Sequence, residues 1–195
     1  MLTFLARCWL KLWRWKTIAP PAPVPDRCVM IAAPHTTNWD FPITLAMARV
    51  AGVKISWLGK DSLFKGPMGP IMRRLGGVAI DRRAPGGMVT SLARELTTRD
   101  HLVLVVPAEG TRSRTEYWKS GFYRIAQQAQ VPVLLGFVDK STRSGGFGPA
   151  VPITGDVRAD MDVIRAFYAG KTGLKKDRFG PIRLREEDED AAPSA

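Results

Sequence analysis

From Cys28 onward, short apolar runs alternate with amphipathic stretches, the order expected of a sheet layered with helices. Residues 28–33, CVMIAA, read as a buried strand, and helix-compatible residues 40–51 follow as far as Gly52, a good helix terminator. Further strands are predicted at 54–58 and 78–80, with a short irregular helix at 66–75 between them despite its two prolines. Helical spacing runs over 88–96, and HLVLVV at 101–106 is the strongest strand signal in the chain, which predicts a central place in the sheet. A helix over 117–130, a strand over 131–138 and a last helix over 161–169 complete the pattern. The expected fold is α/β, one domain over residues 28–185 with a central mixed sheet flanked by helices.

Ahead of that domain, residues 1–19 are expected to hold an amphipathic helix. At about 100° per residue, Leu2, Leu5, Trp9, Leu12 and Trp13 share one stripe, and Arg7, Lys11 and Arg14 fall opposite, with Lys16 off that basic face. Cations interrupt it too often for the apolar core of a cleaved signal. Such a helix either packs on the domain's own core or lies in the head-group plane of a membrane. Indoles on one face and cations on the other suit the second setting. Residues 20–27, rich in proline, end the helix and read as a stiff connector.

A net charge of +11 over 195 residues should draw the surface toward anions, whether nucleic acid, acidic head groups or phosphorylated substrates. Residues 186–195 are acidic and aperiodic and read as a solvated, disordered tail. Cys8 and Cys28 have no Cys-x-x-Cys spacing and no nearby histidines, so neither a metal site nor a disulfide framework is expected, and a reducing cytoplasmic setting is. No apolar run approaches the roughly 20 residues that span a bilayer.

Candidate chemistry starts at APHTTNWD, between a predicted strand and a predicted helix. On a regular helix His35 and Asp40 would sit about 140° apart, so the two meet only if the turn after His35 is not helical, which Pro34 and Thr-Thr-Asn favour. If they meet, the carboxylate holds one imidazole nitrogen and leaves the other as a base. No Gly-x-Ser-x-Gly elbow occurs and neither cysteine sits in a cationic loop, so the attacking hydroxyl is expected to come from a substrate. A structural pair is the alternative for an isolated His and Asp at this spacing. In AEGTRSR, Gly110, Thr111 and Arg112 could converge backbone amides and a guanidinium on a phosphate, and AIDRR at 79–83 could add a second contact. Either loop could equally be solvated surface. His101 reads as structural, and Trp57 and Trp118 as core aromatics before groove linings.

Taken together these blocks resemble the lysophospholipid and glycerolphosphate acyltransferases. HTTNWD at 35–40 is similar to the catalytic His-x4-Asp block, GGVAIDR at 76–82 to the second, EGTRS at 109–113 to the third and VPVLLGF at 131–137 to the fourth. GKDSLFKGPMG and WKSGFYRIA between them also look like short bacterial members, so the resemblance covers about 28–169. It implies a glycerol-3-phosphate acyltransferase-like fold and transfer of an acyl chain from acyl-CoA, or an acyl carrier protein, to a hydroxyl of a lysophospholipid such as 1-acylglycerol-3-phosphate. His35 would be the general base and Asp40 its orienting partner. Arg82, Glu109, Gly110, Thr111 and Arg112, with Lys60 beside them, would bind the phosphate-bearing acceptor, Glu109 by positioning Arg112 or accepting an acceptor hydroxyl. Pro34, Ala108 and Gly136 stand where many members carry Asn, Pro and Pro. These departures bear on which acceptor fits.

Because a thioester is already activated, neither metal nor cofactor is expected, and a positioned base would supply roughly 10² to 10⁴ of rate. The expected location is the cytoplasmic face of a membrane carrying anionic lipids, with the protein held peripherally. Three rivals share some of these features: an acyltransferase for another lipid or glycolipid, a hydrolase using the dyad on water, and a nonenzymatic lipid-binding module. A nucleic-acid partner is not expected, since aromatic-basic interleaving is absent outside the first helix.

Overall fold

A computed structural model describes residues 1–80 and 87–189. Its elements in chain order are α1 (Leu2–Leu12), β1 (Lys16–Ile18), β2 (Arg27–Ala33), α2 (Asp40–Ala51), β3 (Ile55–Lys60), α3 (Gly69–Arg74), β4 (Gly77–Ile80), α4 (Gly87–Thr98), β5 (Leu102–Val106), α5 (Gly121–Ala129), β6 (Val133–Asp139), β7 (Ser144–Val151), α6 (Val157–Tyr168) and α7 (Glu186–Glu189). The strands form one mixed sheet in the order β1-β7-β6-β2-β5-β3-β4. The five strands from β6 to β4 run parallel, β7 is antiparallel to β6, and β1 is parallel to β7.

Period-two alternation sorts the core. Val29, Ile31 and Ala33 of β2, with Leu102 and Leu104 of β5, point to one face, where Leu92 and Leu96 of α4, Phe122 and Ile125 of α5 and Met161 and Ile164 of α6 cover them. Cys28 and Met30, with Val103 and Val105, point to the other face, under Ala48 of α2. The two central strands, buried on both faces, are near-continuous apolar runs for this reason. On the second face α1 lies over α2, inserting Leu10 beside Ile43, Met47 and Val138.

Four expectations change against this frame. The N-terminal helix stops at Leu12, short of residue 19: Arg14 adopts a left-handed φ of 58° and the chain enters β1, whose Lys16 N–H bonds to the Arg143 carbonyl. The helix expected over 117–130 begins only at Gly121, because the N–H groups of Trp118 and Lys119 are drawn to the carbonyls of Arg183 and Ala108. Strand β7 was not expected at all, since three glycines and a proline lower its strand signal. Glycine is required there by packing: a Cβ at Gly145 would lie 2.7 Å from Met47 Sδ on α2, and one at Gly148 2.3 Å from the Phe167 ring on α6.

The fourth change concerns the acidic residues expected to be solvated. Glu186 pairs with Arg124 of α5 at 2.7 Å, Glu187 with Arg165 of α6 at 2.7 Å, and Asp188 accepts from the Tyr117 hydroxyl at 2.6 Å. The cations of α5 and α6 hold this stretch as a helical turn; residues 190–195 lie outside the described residues. No helix among the described residues is long and apolar enough to cross a membrane.

Candidate active site

Strand β2 ends at Ala33, and a non-helical turn carries His35 to the first residue of α2, Asp40. The turn closes around the Asp40 carboxylate, whose Oδ2 accepts the N–H groups of Thr36 and Thr37, each at 2.7 Å, while Oδ1 accepts the Thr37 hydroxyl at 3.2 Å. These bonds fold the segment back and bring His35 Nδ1 to 3.5 Å from Asp40 Oδ2. That separation is at the outer edge of a hydrogen bond, a spacing that resting sites often show before substrate tightens them. Asp40 is 3% exposed, so its charge acts on the imidazole with little solvent screening. Nε2 has no protein partner among the described residues and is the nitrogen left to take a proton.

Behind this turn stands Glu109, after the end of β5. Both its oxygens accept the His35 backbone N–H, at 2.9 and 3.0 Å. It is 2% exposed, and burial pushes its carboxyl up to about 7, against the opposing pull of the His35 N–H. The side chain therefore faces the histidine's backbone and is absent from the cavity wall, whereas the sequence reading had set it against Arg112 or the acceptor.

His35, Asp40 and Arg112 line a cavity of about 220 Å³, whose walls include Phe41, Trp57, Leu58, Val105 and Phe137. It opens at the carboxyl ends of β2, β3, β5 and β6, where parallel sheets of this kind place their ligands. The walls are apolar and the polar groups few and convergent, as in binding sites for small molecules generally. Gly136 is part of this wall; a Cβ there would lie 2.8 Å from the Ile31 carbonyl oxygen, which accounts for glycine at that position.

The remaining expected residues divide. Gly110 adopts a φ of +68°, with Lys119 Cγ 2.8 Å from where a Cβ would stand, so glycine lets the chain turn from Glu109 toward Arg112. Thr111 is exposed, and its hydroxyl accepts the Ser113 N–H at 3.3 Å. Lys60 ends β3, but its side chain lies outside the described residues, as do Arg82 and all of 81–86. Trp57 faces the cavity, whereas Trp118 is buried in the core at 2% exposure. His101 immediately precedes β5, at the opposite end of the sheet, 3.4 Å from Asp26. Cys28 is buried, which pushes its thiol up to about 12 and leaves it without nucleophilic character.

Sequence reasoning missed the segment after α6. It crosses both site loops: the Lys175 N–H bonds to Thr36 Oγ1 at 3.1 Å, Arg178 reaches the Thr36 carbonyl at 3.5 Å, and Arg114 donates to the Phe179 carbonyl at 2.8 Å. Thr36, fully buried, is thus tied to Asp40 on one side and to this strap on the other. A Cβ at Gly173 would lie 2.5 Å from Thr36 Cγ2 and 2.7 Å from its Oγ1. Gly173→Ala is therefore expected to shift the His35 turn and lower kcat by about 10- to 100-fold, with only a few degrees' loss in Tm. Steady-state kinetics beside a thermal melt check this, and an unchanged kcat would show that the strap does not set the turn. Only the sequence pairing of Gly170 with Gly173 hinted at a tight return here, and it carried no pointer to His35.

A buried carboxylate thus stands beside a histidine at the mouth of an apolar cavity, on the carboxyl edge of a mixed α/β sheet. The acyltransferase family model matches residues 19–134, and the chain belongs to that family. It is an acyltransferase. Among solved structures, the 1-acyl-sn-glycerophosphate (LPA) acyltransferase PlsC from Thermotoga maritima shares the fold, with a TM-score of 0.57 at 16% identity, over 85% of this chain and 76% of that one. Among curated proteins none matches.

Proposed function

We propose that this enzyme moves a fatty acyl group from the thioester of acyl-CoA or an acyl carrier protein to a hydroxyl of a lysophospholipid such as 1-acylglycerol-3-phosphate, in phospholipid synthesis or remodelling. The observation that carries the reading is the placement of His35, at 3.5 Å from Asp40, in one apolar cavity with Arg112. In the proposed reaction, Nε2 of His35 takes the proton of the acceptor hydroxyl as its oxygen attacks the thioester carbon. Asp40 stabilises the imidazolium that forms, and the proton leaves with the departing thiolate. Arg112 offers a planar donor fork to the acceptor's phosphate. The thioester is activated already, so the reaction needs no metal or cofactor in this reading.

Support for a membrane setting comes from α1. Leu10 is buried and Trp9 packs beside it, while the other stripe residues, Leu2, Leu5, Leu12 and Trp13, are 54%, 53%, 78% and 57% exposed. The helix thus packs on the domain through one edge and presents most of its apolar stripe outward, as an interfacial helix on the cytoplasmic face of an anionic membrane would.

Incubation of the purified chain with labelled acyl-CoA, or acyl carrier protein, and a panel of lysolipids and glycolipids, with products identified by mass, tests the proposal. An acylated lysophospholipid is expected. Acylation of another lipid alone would move the acceptor assignment, and free fatty acid formed at the same rate without acceptor would replace transfer by hydrolysis. Arg112→Ala is expected to raise the acceptor's KM by about 10-fold or more, the loss of a charge-assisted hydrogen bond, with a smaller change for the donor. Equal effects on both substrates would remove Arg112 from the acceptor site.

A further inference from the structure

The segment between β3 and β4 presents an apolar surface that the fold does not use. Met68, Ile71 and Leu75 recur at spacings of three and four and so share a face of the α3 turn, where they are 52%, 50% and 44% exposed. The opposite side of the turn is the packed one. Gly69 is buried so closely that a Cβ would lie 2.2 Å from the Phe64 carbonyl oxygen, and Phe64 itself is 4% exposed. Glycine inward and long apolar side chains outward is the reverse of a helix built to cover a core.

This surface is continuous with the catalytic cavity. The Trp57 indole N–H donates to the Leu75 carbonyl at 2.9 Å, and its ring meets Phe64 at 6.0 Å and Phe41 at 5.0 Å between centroids. Phe41 and Trp57 are cavity walls. An apolar path therefore runs from the outer face of α3 through two aromatic rings to the pocket that holds His35. Residues 61–75 contain three cations, Lys65, Arg73 and Arg74, and one acidic residue, Asp61. Arg73 lies over the Phe64 ring at 5.8 Å, and neither Arg73 nor Arg74 pairs with a carboxylate among the described residues.

We propose that this face is a second membrane-contact surface, one that seats the mouth of the cavity on an anionic bilayer. The inference rests on the proposed lipid acceptor and adds to it the route by which the lipid enters. Two observations select a bilayer as the occupant. Arg73 and Arg74, which pair with no carboxylate among the described residues, border the apolar patch and match anionic head groups. And the patch shares a sheet face with α1, because Trp57 and Phe64 pack on the same side as α2, over which α1 lies. An acyl chain passing from the bilayer along Trp57 and Phe41 would stay out of water throughout, which favours transfer of a lipid over a soluble substrate.

The test uses the full chain carrying Met68→Glu and Ile71→Glu, both outside the cavity wall. Sedimentation with vesicles of phosphatidylglycerol and phosphatidylcholine should show the bound fraction falling about fivefold or more, with far-UV circular dichroism and Tm near those of the parent. Turnover with bilayer-embedded acceptor should fall in parallel, while turnover with a short-chain, monomeric acceptor and donor holds within about twofold. Unchanged vesicle binding would overturn the proposal, as would equal losses on both acceptors. A parent dimer that the two substitutions split, with vesicle binding intact, would overturn it too, by assigning the face to a second copy. Vesicle binding is read without turnover, so this surface can fail or stand separately from the assignment of the acceptor.

Discussion

Replacing His35 with alanine is expected to lower kcat by about 10²- to 10⁴-fold, the contribution of a positioned general base, and to leave the fold intact. The side chain is 17% exposed on the cavity wall, and its backbone N–H, which bonds to Glu109, survives the substitution. Circular dichroism and Tm should stay close to the parent's. Turnover above about a tenth of the parent's would reject His35 as the base. The equivalent change at Asp40 is less clean, because its carboxylate also satisfies the backbone of Thr36 and Thr37. Asp40→Ala would strand two N–H groups and confuse lost chemistry with a lost turn.

The second large effect is expected at Glu109. Glu109→Ala removes the acceptor of the His35 N–H at a site 2% exposed, at a cost of about 1–3 kcal/mol for the stranded donor, with a cavity penalty added. Glu109→Gln keeps one acceptor oxygen and isolates the charge. Burial raises the folded carboxyl from 4.5 to about 7, so the folded protein binds this proton more tightly than the unfolded chain. The stability it contributes is full below about pH 4.5 and is lost as pH rises through about 7, a change on the order of 3 kcal/mol. Urea unfolding of the parent and of Glu109→Gln from about pH 5 to about pH 8 should show the glutamine protein gaining relative stability across that window and levelling off above it. A difference independent of pH would show that Glu109 is ionised throughout.

Much of this arrangement was legible in the sequence where one physical rule dominated. The apolar runs of β2, β5 and β6 are buried on both faces, and no polar requirement interrupts them. Helix α2 runs from Asp40 to Ala51 as its pattern predicts, since Gly52 takes a left-handed φ of 76° at its end. The His35–Asp40 contact was legible as a condition, a non-helical turn, and the turn is non-helical because the Asp40 carboxylate organises it. What was not legible depends on partners distant in sequence. Strand β7 is written in glycines that two helices demand, and β1 exists only through its pairing with β7. The resemblance of the EGTRS block set Glu109 toward Arg112 or the acceptor, and only the folded chain places it against the His35 backbone. The hold of Lys175 on Thr36 spans 139 residues and leaves no local trace.

Strand β2 is hydrogen-bonded on one side to β5, with Val29 opposite Leu104, and on the other to β6, with Val29 opposite Val133. During synthesis the strand that carries His35 is thus made early and waits for both neighbours, and the strap after α6, which adds its hold on Thr36 to that of Asp40, arrives later still. The turn that holds His35 is thus encoded near the start of the chain and tied, through Thr36, to a segment encoded near its end.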